Sequence, residues 1–293
     1  MYASLFTAPN PINYAIPFFI IGILAEWYVV YRESRAAYNV PNAAASIGVG
    51  LVSLMFDIPT KIIAFLGFSW LYAHRLVDIP VAWWSVALLF LLDDFTFYWQ
   101  HRLHHEHRIL WAGHVCHHSS EHYNLAVALR QPWLEKFYVY GFWAWLAWLG
   151  FPPLLMFTVM SFNLVYQFWV HTERVVRLPA IVEFVFNTPS HHRVHHASNT
   201  RYLDRNHGGV LIIWDRIFGS FTAEDPTEPV VYGITTNIYT NNLFRIAFHE
   251  YIAVLRDMLR SGNVRTAWNY AWQPPGWNET DGDAHTARAL RRK

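Results

Sequence analysis

Two windows of the sequence place histidines close enough together to bind metal ions jointly. Eight histidines lie between His101 and His122 and four more between His191 and His196, out of 17 in the chain. Neutral imidazole is a common ligand of transition metals. Rings three or four residues apart lie on one face of a helix. The two windows therefore predict a metal site.

Three motifs, or histidine boxes, repeat this spacing: His101-x3-His105, His114-x2-His117-His118 and His192-x2-His195-His196, with His171 alone before the third. One helical turn can direct two rings of a box to one ion, while the neighbouring residue of each His-His pair can reach a second ion. Nine imidazoles exceed what one ion accepts, so they predict two ions with open positions for O2. The predicted ligands are His101, His105, His114, His117, His118, His171, His192, His195 and His196.

The ligand set favours redox-active iron over structural zinc. A structural zinc site is usually four-coordinate and closed, whereas nine imidazoles without a thiolate suit two iron ions with open positions. Zinc is an alternative occupant in purified protein. The single cysteine, Cys116, cannot form an internal disulfide and is expected to fill space in the core.

The composition favours an integral membrane protein. Of 293 residues, 54% are hydrophobic and only 15% are charged, where a soluble domain has roughly 25% charged residues. The formal net charge of +1 provides no basic field for a nucleic acid. We therefore expect a membrane, and not a nucleic acid, as the partner of this chain.

The hydrophobic segments predict an all-α integral membrane protein with about four to five transmembrane helices and a cytoplasmic histidine-rich helical domain. Residues 43–72 contain Asp57, Pro59 and Lys61, and we interpret them as one long kinked crossing rather than a re-entrant pair. Residues 133–150 and 153–170 are joined by Gly150-Phe-Pro-Pro153, which predicts a transmembrane hairpin. The predicted spans cover residues 14–31, 43–72, 81–99, 133–150 and 153–170.

The hairpin also predicts which side of the membrane holds the metal site. A hairpin crosses and returns, so it brings His171 and the third box to the side that already holds the first two boxes. Every Lys and Arg except Lys61 and Arg75 then lies on that side, which is cytoplasmic by the positive-inside rule. We expect a multi-pass protein with its metal site at the cytoplasmic face.

The chain divides into two parts by pattern. Residues 1–230 are interpreted as a single transmembrane and histidine-box catalytic domain, and residues 231–293 as a peripheral amphipathic helix followed by a polar tail. Residues 242–260 repeat apolar side chains with the period of a helix. This helix is expected either at the membrane interface or against the core.

Longer segments surround the boxes: Tyr98-Trp99-x-His101-Arg102-x-x-His105, Leu110-Trp111-x-x-His114-x-x-His117-His118-Ser119-Ser120 and Asn187-Thr188-Pro189-x-x-His192-Arg193-Val194-His195-His196. In order, spacing and flanking residues they resemble the membrane fatty acid hydroxylase and sterol desaturase superfamily, over about residues 85–225. Four further segments are most similar to its alkylglycerol monooxygenase branch: Glu121-x-x-Asn124, Ala128-Leu129-Arg130-Gln131, His171-Thr172-Glu173 and Tyr202-x-Asp204-x-Asn206-x-Gly208-Gly209.

The resemblance implies a di-iron oxygenase that uses O2 to hydroxylate, or desaturate, a C–H bond of a lipid such as an ether lipid, a sterol or a fatty acyl chain. It also implies an external reductant, either a reduced pterin or an electron-transfer protein. The residues outside the boxes carry no reductase or haem-binding motif, so we expect a separate electron donor.

Four polar residues are predicted to support the ligands. Asp94 precedes His101 by seven residues, about two helical turns on the same face. It is expected either to accept a hydrogen bond from a ligand imidazole or to be a carboxylate at the helix boundary that meets Arg102 or water. Asn124 and Glu173 are predicted to act similarly, as is Asp204. Outside the boxes, His104, His107, His122 and His191 are weaker candidates, while His74, His207, His249 and His285 are expected to be structural or at the surface.

Two other functions fit part of the pattern. A metal transporter or metal-storage protein would also need many histidines, but transport favours ionisable residues spread across the membrane depth, whereas these cluster on one side. A catalytically silent scaffold that keeps zinc for stability would retain the boxes as well. The oxygenase interpretation is favoured over both.

Overall fold

The computed structural model describes residues 11–34 and 38–292, which form α-helices and short 3-10 segments and no β-strand. The α-helices are α1 (Pro11–Glu33), α2 (Val40–Ala73), α3 (Trp83–Glu106), α4 (Arg108–His118), α5 (Ala144–Leu149), α6 (Pro153–Trp169), α7 (Ala180–Val185), α8 (Pro189–His195), α9 (Ile213–Phe218), α10 (Leu243–Arg260), α11 (Val264–Trp272) and α12 (Ala287–Leu290). The predicted all-α class is confirmed.

Two helices, α1 and α2, are long and apolar enough to cross a membrane by length and composition. At 1.5 Å per residue, the 34 residues of α2 extend about 50 Å, which exceeds the roughly 30 Å hydrocarbon core of a bilayer. Pro59 lies inside α2 without ending it. Residues 43–72 therefore form one helix, as predicted, and not a re-entrant pair.

Glu26, the one charged residue within the apolar run of α1, is buried and connects this helix to the histidine-bearing part of the chain. Its carboxylate accepts hydrogen bonds from the Leu125 backbone N–H at 2.8 Å and from the Thr172 hydroxyl at 2.5 Å. A carboxylate inside an apolar helix needs such donors, because burying it alone is costly. Glu26 thus fixes α1 beside the residue that follows His171.

The hairpin differs from its prediction in the first arm. Residues 133–150, expected as one helix, form 3-10 segments at Leu134–Phe137 and Val139–Trp143 before α5. Side chains three residues apart eclipse one another in a 3-10 helix, so Tyr140 and Trp143 point the same way. Their polar ends donate to Asp57 of α2 and Asp93 of α3, each at 2.7 Å. These buried hydrogen bonds favour the tighter winding.

Two of the apolar clusters are larger than the others. One packs α2, α3 and the hairpin around Phe68, Leu89, Leu146, Phe151 and Met156. The other packs α2, α4 and α10 and includes Cys116, which is buried as predicted, so that burial raises the pKa of its thiol to about 12. Helix α10 confirms the predicted amphipathic helix. It contacts α4 and α2, so it lies directly behind a histidine box.

Candidate metal centre

The first box lies in the last two turns of α3. His101 and His105 are one turn apart and both are buried. The His101 Nδ1–H donates to the His207 carbonyl oxygen at 2.9 Å, and His105 Nδ1 lies 3.3 Å from the Asp204 carboxylate. Both rings are therefore oriented by the segment that follows the third box.

The second box occupies the C-terminal half of α4. This helix begins directly after α3, and its first residue, Arg108, forms ion pairs of 2.7 Å with Glu250 and Asp257 of α10. These pairs hold α4 against α10. His114 and His118 consequently face the first box, while His117 packs beside His114.

The third box lies on the short helix α8, which begins at Pro189. Pro at the first helical position suits a helix start, because its fixed φ is helical and its missing N–H would have no partner there. His171 follows α6, and its Nε2 lies 3.0 Å from Nε2 of His192. The turn after α6 thus places the solitary histidine beside the third box.

The structure brings the nine predicted histidines together in two groups. Within each group the candidate ligand atoms all lie within 4.8 Å of one another. The first group is His101, His105, His114, His118 and His195, and the second is His117, His171, His192 and His196. All three boxes contribute to the first group and two boxes with His171 to the second.

The adjacent His-His pairs diverge between the groups. His117 belongs to the second group and His118 to the first, while His195 belongs to the first and His196 to the second. The rings of His118 and His196 stack at 4.4 Å between their centroids, so the two groups are in contact. Successive residues on a helix point about 100° apart, which is why one pair can serve two neighbouring sites.

The outer nitrogens of five rings are held by acceptors. A carbonyl oxygen accepts only, so each Nδ1 that contacts one carries the proton. The contacts are His101 with His207 O, His105 with the Asp204 carboxylate, His117 with Arg130 O, His171 with Gln167 O and His195 with Arg205 O. This tautomer leaves the inner Nε2 atoms with lone pairs available to a metal.

The inner nitrogens meet in a way that fits a cation. His117 and His171 both donate through Nδ1, yet their unprotonated Nε2 atoms lie 3.2 Å apart. In the first group, Nε2 of His114 lies 2.9 Å from that of His101 and 3.1 Å from that of His118. Facing lone pairs, as in the His117–His171 pair, repel one another unless they share a positive ion.

Buried nitrogens without partners give the same indication. Nε2 of His105 and Nε2 of His195, both in the first group, have no hydrogen-bond partner. Buried polar atoms are nearly always hydrogen-bonded, so these two lone pairs are suited to a ligand from outside the chain. The donor set therefore fits metal ions, and both histidine groups could hold one.

Burial also keeps these imidazoles neutral. It lowers the pKa of His171 to about 4, and it lowers the pKa values of seven other members of the groups well below the usual value of a histidine. The seven are His101, His114, His117, His118, His192, His195 and His196. Neutral imidazole is the form that binds metal.

Asp94 is buried beside the site but does not make the expected hydrogen bond to an imidazole. Its carboxylate accepts from the backbone N–H groups of Val210 and Leu211 at 2.7 and 3.0 Å, from the Trp214 indole at 2.9 Å and from Asn163. Four donors from other elements saturate its oxygens. Asp94 therefore holds residues 210–214 against α3. The prediction that Asp94 accepts a hydrogen bond from an imidazole was wrong.

Asn124 and Glu173 also lie one step away from the rings. The Asn124 side chain caps a 3-10 segment, Leu125–Leu129, by accepting a hydrogen bond from the Ala126 N–H. Arg130 follows this segment, and its carbonyl oxygen accepts a hydrogen bond from His117. Glu173 is exposed and accepts from the Tyr232 hydroxyl at 2.9 Å. In the part of the chain that the structure describes, neither side chain contacts a histidine of the two groups.

Among the weaker candidates, Asp204 lies within hydrogen-bond distance of a predicted ligand, His105, and the His104 ring lies 5.9 Å from that of His114. His104 donates to Gln100 O at 2.6 Å and lies against Tyr138. His107 contacts Trp272 O, His122 contacts Asn39, and His191 pairs with Glu183 at 3.0 Å. These four histidines have structural partners outside the two groups.

Two residues that the sequence did not single out border the first group. His207, expected to be structural or at the surface, is fully buried with its ring 5.0 Å from that of His105, and its carbonyl holds His101. Glu135 is buried, and one carboxylate oxygen without a hydrogen-bond partner lies 4.0 Å from His114 Nδ1. The adjacent Gly208-Gly209 pair is the sequence feature that could have identified His207 as part of the site. No sequence feature identifies Glu135.

Aromatic rings cover the second group. Tyr123 is buried, with its ring centroid 5.9 Å from that of His171 and 5.3 Å from that of His196. Tyr232 stacks on Tyr123 at 4.8 Å and forms part of the wall of a cavity of about 410 Å³. The two tyrosines therefore lie between the second group and this cavity.

Two apolar helices long enough to cross a membrane and two groups of buried histidines suited to metal ions are the features of a histidine-rich membrane metalloprotein. Residues 86–220 match the family model described as Fatty acid hydroxylase. These residues are therefore a domain of the fatty acid hydroxylase family. The matched region contains all nine histidines of the two groups.

Similar curated proteins extend over most of the chain. The alkylglycerol monooxygenase of Homo sapiens is 38% identical over 94% of this chain, and that of Xenopus tropicalis is 35% identical over 92%. The ornithine lipid hydroxylase OlsE of Rhizobium tropici is 26% identical over 57% of this chain. The chain spans 62%, 57% and 50% of the lengths of these three relatives, respectively. No solved structure matches.

Proposed function

We propose that this protein is a membrane-bound non-haem di-iron oxygenase that hydroxylates a C–H bond of a lipid. The observation that carries the proposal is the division of nine buried histidines into two contacting groups. The similarity to alkylglycerol monooxygenases and to an ornithine lipid hydroxylase supports a lipid as the substrate. Candidate substrates are therefore ether lipids first, then other acyl lipids and sterols, and desaturation is the alternative outcome.

The nine histidines would hold two iron ions, one in each group. Iron at such sites supplies the chemistry for activating O2 and oxidising an unactivated C–H bond. The imidazole-only donor set, without a thiolate, suits iron better than structural zinc. Zinc can replace iron in purified protein, so the metal content is a separate measurement from the fold.

The surrounding residues keep the rings in place. The Asp204 carboxylate and the carbonyl groups of Arg130, Gln167 and Arg205 hold outer nitrogens, so that the inner lone pairs converge. Asp94, Asn124 and Glu173 are proposed as positioning residues that act through neighbouring segments. Burial of the rings excludes water from the groups, which protects a reactive site from side reactions.

We propose a multi-pass topology with four to five crossings and the metal centre on the cytoplasmic side. The length and apolar character of α1 and α2 support two of the crossings. The apolar first half of α3 and the turn at Gly150 support the others, since crossings there would return the chain to the same side. The lipid chain would then approach from the bilayer, and only the reacting carbon needs to reach the histidines.

The electrons are proposed to come from a separate donor, either a reduced pterin or an electron-transfer protein. The Tyr232 and Tyr123 stack supports an approach through the cavity of about 410 Å³, because it connects the cavity wall to the second histidine group. Phenylalanine at position 232 would keep the stack, and leucine would break it. Slower reduction in Tyr232→Leu than in Tyr232→Phe would support this route.

Anaerobic iron loading followed by O2 and a defined lipid tests the proposed function. Alkylglycerol, an acyl phospholipid and a sterol are supplied separately with a chemical reductant, and O2 uptake and products are followed by electrode and mass spectrometry. Uptake coupled to a product heavier by one oxygen atom is expected with one lipid class. Two bound irons without O2 uptake on any lipid would contradict the oxygenase and favour metal storage or a metal-stabilised scaffold.

A further inference from the structure

The exposed side of α10 carries two parallel stripes of opposite character. Projected with about 100° per residue, one stripe is apolar and the next is basic. The apolar stripe is Phe244, Phe248, Ile252, Leu255 and Leu259, and the basic stripe is Arg245, Arg256 and Arg260. Except for the half-buried Phe248, all of these side chains are exposed.

The acidic residues of α10 face the opposite way. Glu250 and Asp257 both pair with Arg108 of α4. The three arginines of the basic stripe form no ion pair among the described residues, and their side chains reach solvent. Charge is therefore sorted by side: acidic groups pair with the protein core, and basic groups point outward.

Helix α11 extends the apolar surface. Val264, Trp268 and Trp272 follow one another at intervals of four residues, so they form one stripe, and they are 87%, 60% and 44% exposed. Trp268 and Trp272 stack at 5.8 Å. The outer apolar face is defined as Phe244, Ile252, Leu255, Leu259, Val264, Trp268 and Trp272.

The position of the outer apolar face relates it to the membrane helices. Leu243, at the start of α10, packs beside Gly48 of α2, and Phe244 contacts Trp133, which donates to the Val49 carbonyl oxygen of α2. The face thus begins beside the first turns of an apolar helix that is long enough to cross the bilayer. A surface at the end of a spanning helix lies at the depth of the lipid headgroups.

We infer that α10 and α11 lie in the membrane interface, with the outer apolar face in the acyl boundary and the basic stripe against anionic lipid headgroups. An apolar stripe flanked by arginines, with exposed tryptophans, is the pattern of an interfacial helix. Charge complementarity selects anionic lipid over zwitterionic lipid. This inference rests on the membrane location of α1 and α2 and not on the proposed reaction.

This docking has a consequence for the histidines. Helix α10 packs on α4 through the Arg108 ion pairs and through Tyr251, which lies beside Gly113. Helix α4 carries His114, His117 and His118. Contact of α10 with the headgroups would therefore hold these histidines at a constant depth below the acyl chains.

Depth-dependent quenching tests the inference in the intact protein. A Leu259→Cys variant, in a Cys116→Ser background, is labelled with an environment-sensitive fluorophore and placed in lipid nanodiscs. Val231→Cys is the matched control, because Val231 is 57% exposed but lies outside the face. We expect the label at 259 to emit at shorter wavelength, to be quenched by brominated lipid and to be at least about threefold less sensitive to iodide.

Further measurements separate the occupants. Arg256→Gln with Arg260→Gln should raise iodide access to the label at 259 in anionic nanodiscs and change it little in zwitterionic ones. Trp268→Cys supplies a second labelled position if Leu259→Cys does not fold. A label as open to iodide as the control places the face in water and overturns the inference. If neither iodide nor brominated lipid quenches the label at 259, a protein covers the outer apolar face, and this result also overturns the inference.

Discussion

At the scale of the residue, the site depends on which nitrogen of each imidazole carries the proton. Five rings donate through Nδ1 to a carbonyl or carboxylate, so their Nε2 lone pairs converge. Such a hydrogen bond fixes both the tautomer and the orientation of the imidazole ring. Loss of a ring and loss of the acceptor behind it therefore have different expected effects.

Removal of one ring should empty or weaken one group. His118→Ala deletes a member of the first group whose Nε2 lies 3.1 Å from that of His114. We expect metal content to fall by about half and O2-dependent turnover to fall at least about a hundredfold, as measured by elemental analysis and activity. His107→Ala, in the same sequence window but bonded to Trp272 O, should keep its metal. Equal losses in both variants would contradict the assignment.

Removal of an acceptor should weaken metal binding without deleting a ligand. Asp204→Asn replaces the carboxylate that lies 3.3 Å from His105 Nδ1 by a neutral amide. We expect metal affinity to fall about tenfold to a hundredfold, measured by competition with a chelator. Asp281→Asn is the control, since Asp281 lies near His285 in an exposed pair away from the site. Unchanged affinity in Asp204→Asn would remove this carboxylate from the metal centre.

At the scale of the element, the helices locate the histidines and the loops orient them. Asp94 on α3 holds residues 210–214. Three residues before this segment, the carbonyl oxygen of His207 accepts a hydrogen bond from His101. Gly209 permits this close packing, because a Cβ there would lie 2.7 Å from Phe97 and 3.0 Å from the Asp94 carboxylate. One loop and one helix thus position the first box together.

This packing predicts a coupled loss of stability and metal. Asp94→Asn replaces one acceptor oxygen by an N–H2 group that faces backbone N–H donors, which leaves buried donors without partners. We expect the unfolding free energy to fall by about 1–3 kcal/mol and metal content to fall with it, measured by thermal unfolding in detergent and elemental analysis. Asp78→Asn, at an exposed position, is the control. Normal metal content with normal stability would show that this carboxylate does not position the site.

At the scale of the whole molecule, the topology determines from which side of the membrane the proposed lipid substrate would reach the histidines. If the hairpin crosses the membrane twice, Asp78 lies on the side opposite the histidines and Glu279 lies on the same side. Asp78→Cys and Glu279→Cys should then react with a membrane-impermeant thiol reagent from opposite faces of oriented vesicles, while the buried Cys116 stays unlabelled. Labelling of both positions from one face would contradict the proposed crossings. The predicted boundary at residue 230 stays a prediction.

The sequence alone determined the three histidine boxes and the helical class, because both depend on local spacing. Histidines at intervals of three and four must share a helix face, and Pro or Gly at positions 150–153 must interrupt a helix. The predictions that agree with the structure depend on residues near one another in the chain: the three boxes, the turn after α5 and the amphipathic period of α10.

Only the tertiary structure decided which rings form each group and what orients them. His117 and His118 are neighbours in sequence but join different groups. Residues of α3 and α8 complete the group of His118, whereas His171 after α6 and two residues of the third box complete the group of His117. Asp94 has the spacing of an imidazole partner, yet the Val210 and Leu211 amides, 116 and 117 residues away, occupy its oxygens. Glu135 reaches His114 only because the first arm of the hairpin winds as 3-10 segments against α2 and α3. Contacts between distant segments depend on how helices pack, which no local pattern specifies.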